Sequence, residues 1–224
     1  MAKNAASMEE TAMRMVRHVY GYLRDPQTQQ PLCALVRLFK THPFQHLPAS
    51  LQTFARTMAG QQPILAQTRC LTLLASAGDV PAWNSRHTSV GHQAIPLTSE
   101  EMVLQSPMIA QLLRQFGLDP RDVVSPVPGS MRQTTTDIYR IFHVAHAAQS
   151  AYLPAQDHFV QPYGIASVLG FGGPLTEGDL FAMILFFKAP LSEETVSEFP
   201  SIALSVKLAL LSLTEAAVFA PEKS

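Results

Sequence analysis

Two histidines sit where an imidazole could meet a flat, apolar ligand. His143 and His146 flank the end of a strand-like segment, with Phe142, Tyr152, Phe159 and Tyr163 nearby in sequence. A haem iron needs one neutral imidazole nitrogen and an apolar cradle, and this stretch carries both ingredients. The plainer reading of the same residues, and the favoured one, is one surface histidine and one bonded to backbone. Positions three apart on a strand face opposite sides, so the two rings do not share a metal.

A second cluster is polar. Trp83, Asn84, Arg86 and His87 lead to His92. Arginine offers a two-pronged donor to carboxylate or phosphate, so Arg86 and His92 are candidate contacts to an anionic ligand. A solvated loop pinned by one buried tryptophan explains the run as well. Cys33 and Cys70 raise thiol chemistry, which needs an exposed, electropositive thiolate. Both lie in apolar runs, where thiols are inert packing. The glycines from Gly170 to Gly178 lack the Gly-Lys-Ser/Thr ending of a phosphate loop and join two apolar runs, so they read as a hairpin. No nucleophile elbow, zinc-binding helix or carboxylate pair offers a catalytic centre, and no enzymatic activity is expected.

Regular elements must hold these residues. Met8, Ala12, Met15, Val16, Val19 and Leu23 recur at helical spacing, and Asp25-Pro26 stops the run. Leu32–Phe39 and Arg69–Ala75 read as buried strands, with a short helix between them closed by Gly60. His92–Leu97 reads as a short strand, with Pro96 confining it to an edge or an end. Thr98 and Glu101 form a capping box, and a further helix runs from Pro107 to Phe116 before Gly117. Residues 119–130 read as loop and Ile138–Val144 as a half-exposed strand. Ile165–Phe171 and Leu180–Phe187 make the hairpin strands, and an amphipathic helix runs from about Pro190 to Leu213.

The bulk numbers exclude several classes. The 224 residues suffice for one sizeable core, and the absence of repeats or long linkers predicts a single domain over 1–224, with its core at about 8–213. Apolar residues make up 47% and charged residues 15%, which is globular. A net charge of −1 gives no electrostatic reason for a nucleic-acid partner. No apolar stretch approaches the roughly 20 residues that span a bilayer. Two cysteines do not make a disulfide scaffold, and the first ten residues hold no secretory h-region. A soluble, cytoplasmic protein without membrane contact is expected.

Three stretches carry a family resemblance: HQAIPL at His92–Leu97, IFHVAHAAQSAYLPAQ at Ile141–Gln156, and YGIASVLGFGGPLTEGDLFAMILF at Tyr163–Phe186. With the order of elements, they resemble a GAF domain, and look like the divergent GAF-like region of some bacterial sensor histidine kinases. The resemblance implies an α+β fold, with a central antiparallel sheet of five to six strands. Terminal helices would pack on one face, and helices and loops would cover the other. It implies a non-catalytic sensory or regulatory domain that binds a small ligand between the sheet and the covering segments. His143, His146, Phe142, Tyr152, Phe159, Tyr163, Arg86 and His92 are the candidate ligand contacts. A haem-based gas or redox sensor using His143 or His146 is one alternative, and a ligand-free dimerisation scaffold another. No phosphoacceptor histidine motif or nucleotide-binding loop is present, so a histidine kinase or other signalling output is expected in a partner or further segment.

The last helix adds an association reading. Phe199, Ile202, Ala203, Val206, Ala209, Leu210 and Leu213 form one stripe, but Leu204, Leu208 and Leu211 fall off it. A helix apolar on two sides needs two partners. The sheet takes one side, and the N-terminal helix or a second copy of the chain takes the other; a homodimer is expected.

Overall fold

The computed structural model describes residues 7–89, 91–124, 141–175, 178–213 and 217–221. The expected loop at 119–130 instead begins with a helix at Pro120–Val124, while its remainder at 125–130 and the start of the expected strand at 138–140 lie outside these.

The chain opens with helix α1 (Met8–Tyr22), where the Ser7 hydroxyl accepts from the Glu10 N–H at 3.2 Å and caps the first turn. Strand β1 (Cys33–Pro43) leads through a turn to α2 (Ala49–Ala59), then β2 (Arg69–Gly78) and the short β3 (Ala94–Pro96). Three helices follow, α3 (Glu100–Leu104), α4 (Pro107–Gln115) and α5 (Pro120–Val124). Next come β4 (Ile141–Val144), a widened helical turn at Gln156–Val160, and the hairpin β5 (Ser167–Pro174) and β6 (Leu180–Phe187). The chain then forms α6 (Glu193–Ser197) and α7 (Phe199–Leu211).

Six strands form one antiparallel sheet in the order β3-β2-β1-β6-β5-β4. The first and last long strands thus meet at its centre, and the chain builds outward on both sides. β1 runs through Thr41 and His42, further than its apolar stretch alone predicts, because β2 pairs with it as far as Pro43↔Arg69. The expected cap at Thr98 shifts by one: Ser99 accepts the Met102 N–H, while Thr98 donates to Gln62. The expected long terminal helix divides between Ser197 and Phe199, with Pro200 in the first turn of α7, where its missing N–H is tolerated.

The two faces of the sheet bury different residues. On the back, Val36, Leu38, Met183, Leu185, Leu169 and Phe171 pack against Ala12 and Val16 of α1 and Phe199, Ala203, Val206 and Leu210 of α7. On the front, Leu35, Phe39, Leu73, Ile184, Phe186 and Phe142 meet Val103 of α3 and Ile109, Leu112 and Leu113 of α4. Gly170 and Gly172 let α4 approach. A Cβ on Gly170 would meet Leu112 at 3.0 Å, and one on Gly172 would stand 2.1 Å from the Phe181 carbonyl oxygen and 2.9 Å from the Phe116 ring. The α+β layering expected from the resemblance, with terminal helices together on one face, is present.

Candidate functional site

Strand alternation puts one charged residue in the middle of the front face. On β1 the back-facing Val36 and Leu38 flank Arg37, so its side chain rises on the front between Leu35 and Phe39. In register it stands between Ser76 on β2 and Ile184 on β6, and the row continues to Gly170 and Phe142. Arg37 is only 8% exposed. Its Nη2 donates to the Ser89 hydroxyl at 2.7 Å, while Nε has no hydrogen-bond partner among the described residues. The Ser76 hydroxyl across the strand pair is fully buried and also lacks a partner among them.

The electrostatics of this position are unusual for a core. Burial pulls the Arg37 pKa down to about 10, with no described carboxylate opposing the shift. The guanidinium is therefore still charged at neutral pH. Keeping a charge from water without a counter-ion costs on the order of several kcal/mol. His92 marks the rim: its pKa is lowered by desolvation first and by the Arg37 charge second, although the residue as a whole is exposed.

The sequence-predicted residues do not converge on one point. Phe159 and Tyr163 pack edge-on against Trp83, with ring centroids 5.6 and 4.5 Å away, and Phe159 also meets Phe186 at 4.9 Å. These aromatics form the upper wall of the front face. Phe142 lies on the same face, further across, with Tyr152 at 6.2 Å. His143 alternates to the back of β4, in register with the back-facing Leu169, and His146 is exposed. Burial lowers the His143 pKa, while the Glu193 carboxylate raises it less. An imidazole from His143 and the aromatic side chain of Phe142 are thus separated by the strand itself, and these residues do not fit a haem between them. Arg86 is committed elsewhere: its Nε donates to Glu9 Oε1 at 2.7 Å, deep beside α1. Of the predicted set, His92 alone stands beside Arg37.

The cysteines and the glycine turn behave as packing. Cys33 and Cys70 are fully buried, and burial pushes the Cys70 thiol up to about 12 and that of Cys33 higher still. Neither supplies a thiolate at neutral pH. Asp179, at the end of the glycine-rich turn, accepts from Lys40 and Arg69 and fixes the hairpin to β1 and β2. Among the described residues no group of three or more metal-ligating side chains comes together, and no helix is long and apolar enough to cross a membrane.

Arg37, Ser76 and Ser89 are the residues that sequence reasoning missed. The signal was present as a lone arginine inside LCALVRLF, a run otherwise apolar on both faces. A buried strand with one charge at an inward position points to a site.

No protein-family model matches the chain, and no curated protein matches it either. Among solved structures it is similar to the blue-light absorbing form of the PixJ GAF domain of Thermosynechococcus elongatus, at 12% identity and a TM-score of 0.44, covering 94% of this chain and 90% of that one. It is also similar to a domain assigned to a two-component sensor histidine kinase of Sinorhizobium meliloti, at 11% identity and TM-score 0.41, covering 93% of each. A third is the N-acylhomoserine lactone dependent LuxR family transcription factor CepR2 of Burkholderia cenocepacia, at 12% identity and TM-score 0.39, covering 92% of this chain and 98% of that one. With its central β1–β6 pair, paired terminal helices behind and helices in front, the chain has the α+β layering that the sequence resemblance implies.

Proposed function

We propose that this chain is a non-catalytic sensory domain that binds a small ligand on the front of the sheet and signals through α1 and α7 on the back. The observation that carries this reading is Arg37, a buried charge at the sheet centre with a donor that no described residue uses. An uncompensated charge in a core is costly, so its position is understandable if a ligand completes it. β1 also supplies the mechanical link. Arg37 faces the site while its neighbours Val36 and Leu38 lie in the cluster that holds α1 and α7. A ligand that favours one setting of β1 over another biases the helices behind it.

The output lies outside the chemistry of this domain, in a partner such as a histidine kinase. A homodimer is part of the proposal, because Leu204 and Leu208 on α7 are 45% and 58% exposed one turn apart, while Val206 and Leu210 are buried.

Native mass spectrometry and a melting-temperature screen against a metabolite library test the ligand reading. A binder should slow hydrogen exchange in β1 and β2 and change it in α1 and α7. If no compound alters melting or exchange in those strands, the sensory reading is overturned.

A further inference from the structure

We propose that the front-face site takes a small oxyanion, the carboxylate or phosphate group of a compact metabolite, gripped by the Arg37 guanidinium with the Ser76 and Ser89 hydroxyls as further donors; the assignment rests on the ligand-binding reading above. Three features of the site select this class. The first is donor excess. A guanidinium carries five N–H bonds and accepts none. Nη2 has two of these and Ser89 takes one, while Nε donates to nothing among the described residues. Nε and Nη2 form the edge with which arginine grips a carboxylate or phosphate through two parallel bonds.

The second feature is the state of the two hydroxyls. Ser89 accepts from Arg37 through its oxygen, so its own hydrogen remains to donate. Ser76 stands directly across from Arg37, and its hydroxyl is buried without a partner among the described residues. Cross-strand neighbours in a sheet lie roughly 5 Å apart at Cβ, close enough for both to reach one ligand oxygen group. Neighbouring donors with hydrogens left over among the described residues suit an acceptor-rich ligand. A cation is repelled by the guanidinium, and an apolar ligand leaves Arg37 Nε and the Ser76 hydroxyl unsatisfied.

The third feature is size. Leu35 and Phe39 bound Arg37 along β1 and Ile184 bounds it on β6, all buried in one apolar cluster. On the far half of the sheet, α4 sits directly over Gly170. The ligand head is therefore confined to the β1–β2 half, beneath Ser89 and toward the exposed His92. Arg86 is not available as a second cation, because Glu9 holds it.

The test titrates the full chain with sodium phosphate and, separately, with sodium succinate, at ionic strength held constant with sodium chloride. Melting temperature should rise and saturate with phosphate or succinate and stay flat with chloride; the two titrations distinguish phosphate from carboxylate preference. Arg37→Met should weaken the response by more than about tenfold, the loss expected for a charge-assisted pair. Ser76→Ala should weaken it a few-fold. If Arg37→Met does not fold, the Nε–H resonance of Arg37 in the unaltered protein gives a direct reading: it should shift and saturate with oxyanion and not with chloride. An unmoved resonance, or an undiminished response in Arg37→Met, overturns the assignment. If neutral compounds protect β1 and β2 from exchange while both oxyanions do nothing, the oxyanion assignment falls and the sensory reading stands. If nothing protects those strands, both fall.

Discussion

Glu9 and Arg86 lie 77 residues apart in sequence and meet in a buried ion pair, with Arg86 Nε donating to Glu9 Oε1 at 2.7 Å and neither side chain more than 10% exposed. The second Glu9 oxygen accepts the Ala220 N–H at 3.0 Å, and the Phe219 ring lies over the guanidinium, 5.3 Å from centroid to Cζ. One carboxylate thereby fastens the start of α1, the loop after β2 and the C-terminal stretch. It gives Arg86 a counter-ion, which Arg37 lacks among the described residues.

Removing one partner of that pair leaves a buried charge alone. Glu9→Ala should cost roughly 3–5 kcal/mol, and the double variant with Arg86→Met should recover part of the loss. Urea unfolding of the three proteins measures both steps.

His42 is buried at 3% exposure, its ring tilted against Phe219 with centroids 5.2 Å apart, and neither ring nitrogen is hydrogen-bonded to a described side chain. Its pKa lies well below the ordinary 6.5, by desolvation first and then by the nearby charge of Lys40, with smaller effects of the same sign from His46 and Arg69. The unfolded chain therefore takes up a proton below about pH 6.5 that the folded chain refuses. Stability is unaffected above that pH and falls below it, by up to about 1.4 kcal/mol per pH unit from this residue. His42→Phe should flatten the decline when unfolding free energies at pH 7.5 and 5.5 are compared.

The two front-face glycines should differ in tolerance. Gly172→Ala would place a methyl group against backbone, at the Phe181 carbonyl oxygen, whereas Gly170→Ala meets first the end of the Leu112 side chain, which can turn aside. Alanine at 172 should lower stability by at least about 3 kcal/mol, and alanine at 170 by about 1–3 kcal/mol. Calorimetric melting of both variants checks the order.

If the exposed leucines of α7 join two copies, light scattering at tens of micromolar should give twice the chain mass of 24.5 kDa. Leu208→Glu should return the protein to the single-chain mass without loss of helical circular dichroism, because the residue is 58% exposed. A single-chain mass for the unaltered protein ends the dimer proposal.

Because β4 separates His143 from Phe142, haem added to the purified protein should give no absorption band that His143→Ala removes. A visible band lost in that variant would reverse the conclusion about the cofactor.

Much of this arrangement was legible in the residues. Apolar spacing and breakers located α1, the hairpin strands, the helix that begins at Pro107 and the region of α7, whereas α5 at Pro120–Val124 falls where a proline-rich loop was expected. The surplus leucines 204 and 208 were visible as positions off the stripe, and both prove exposed. The site was harder to read. Whether Arg37 faces solvent or core depends on β2 and β6 both flanking it, and those partners come from 39 residues downstream at Ser76 and 147 at Ile184. Arg86 looked available because its acid, Glu9, sits on a helix nothing local connects to it. His143 looked like a wall of the pocket because strand parity, invisible without a register, turns it to the other side.

The stretch 217–221 returns to the first turn of α1, where the Met8 and Glu9 N–H groups donate to the Ala217 and Val218 carbonyls, each at 2.8 Å. Both ends of the folded body therefore emerge at one seam. Such a body can be spliced into a surface turn of a host protein without prising that turn open. Any pull or twist applied at that seam reaches both backbone ends together.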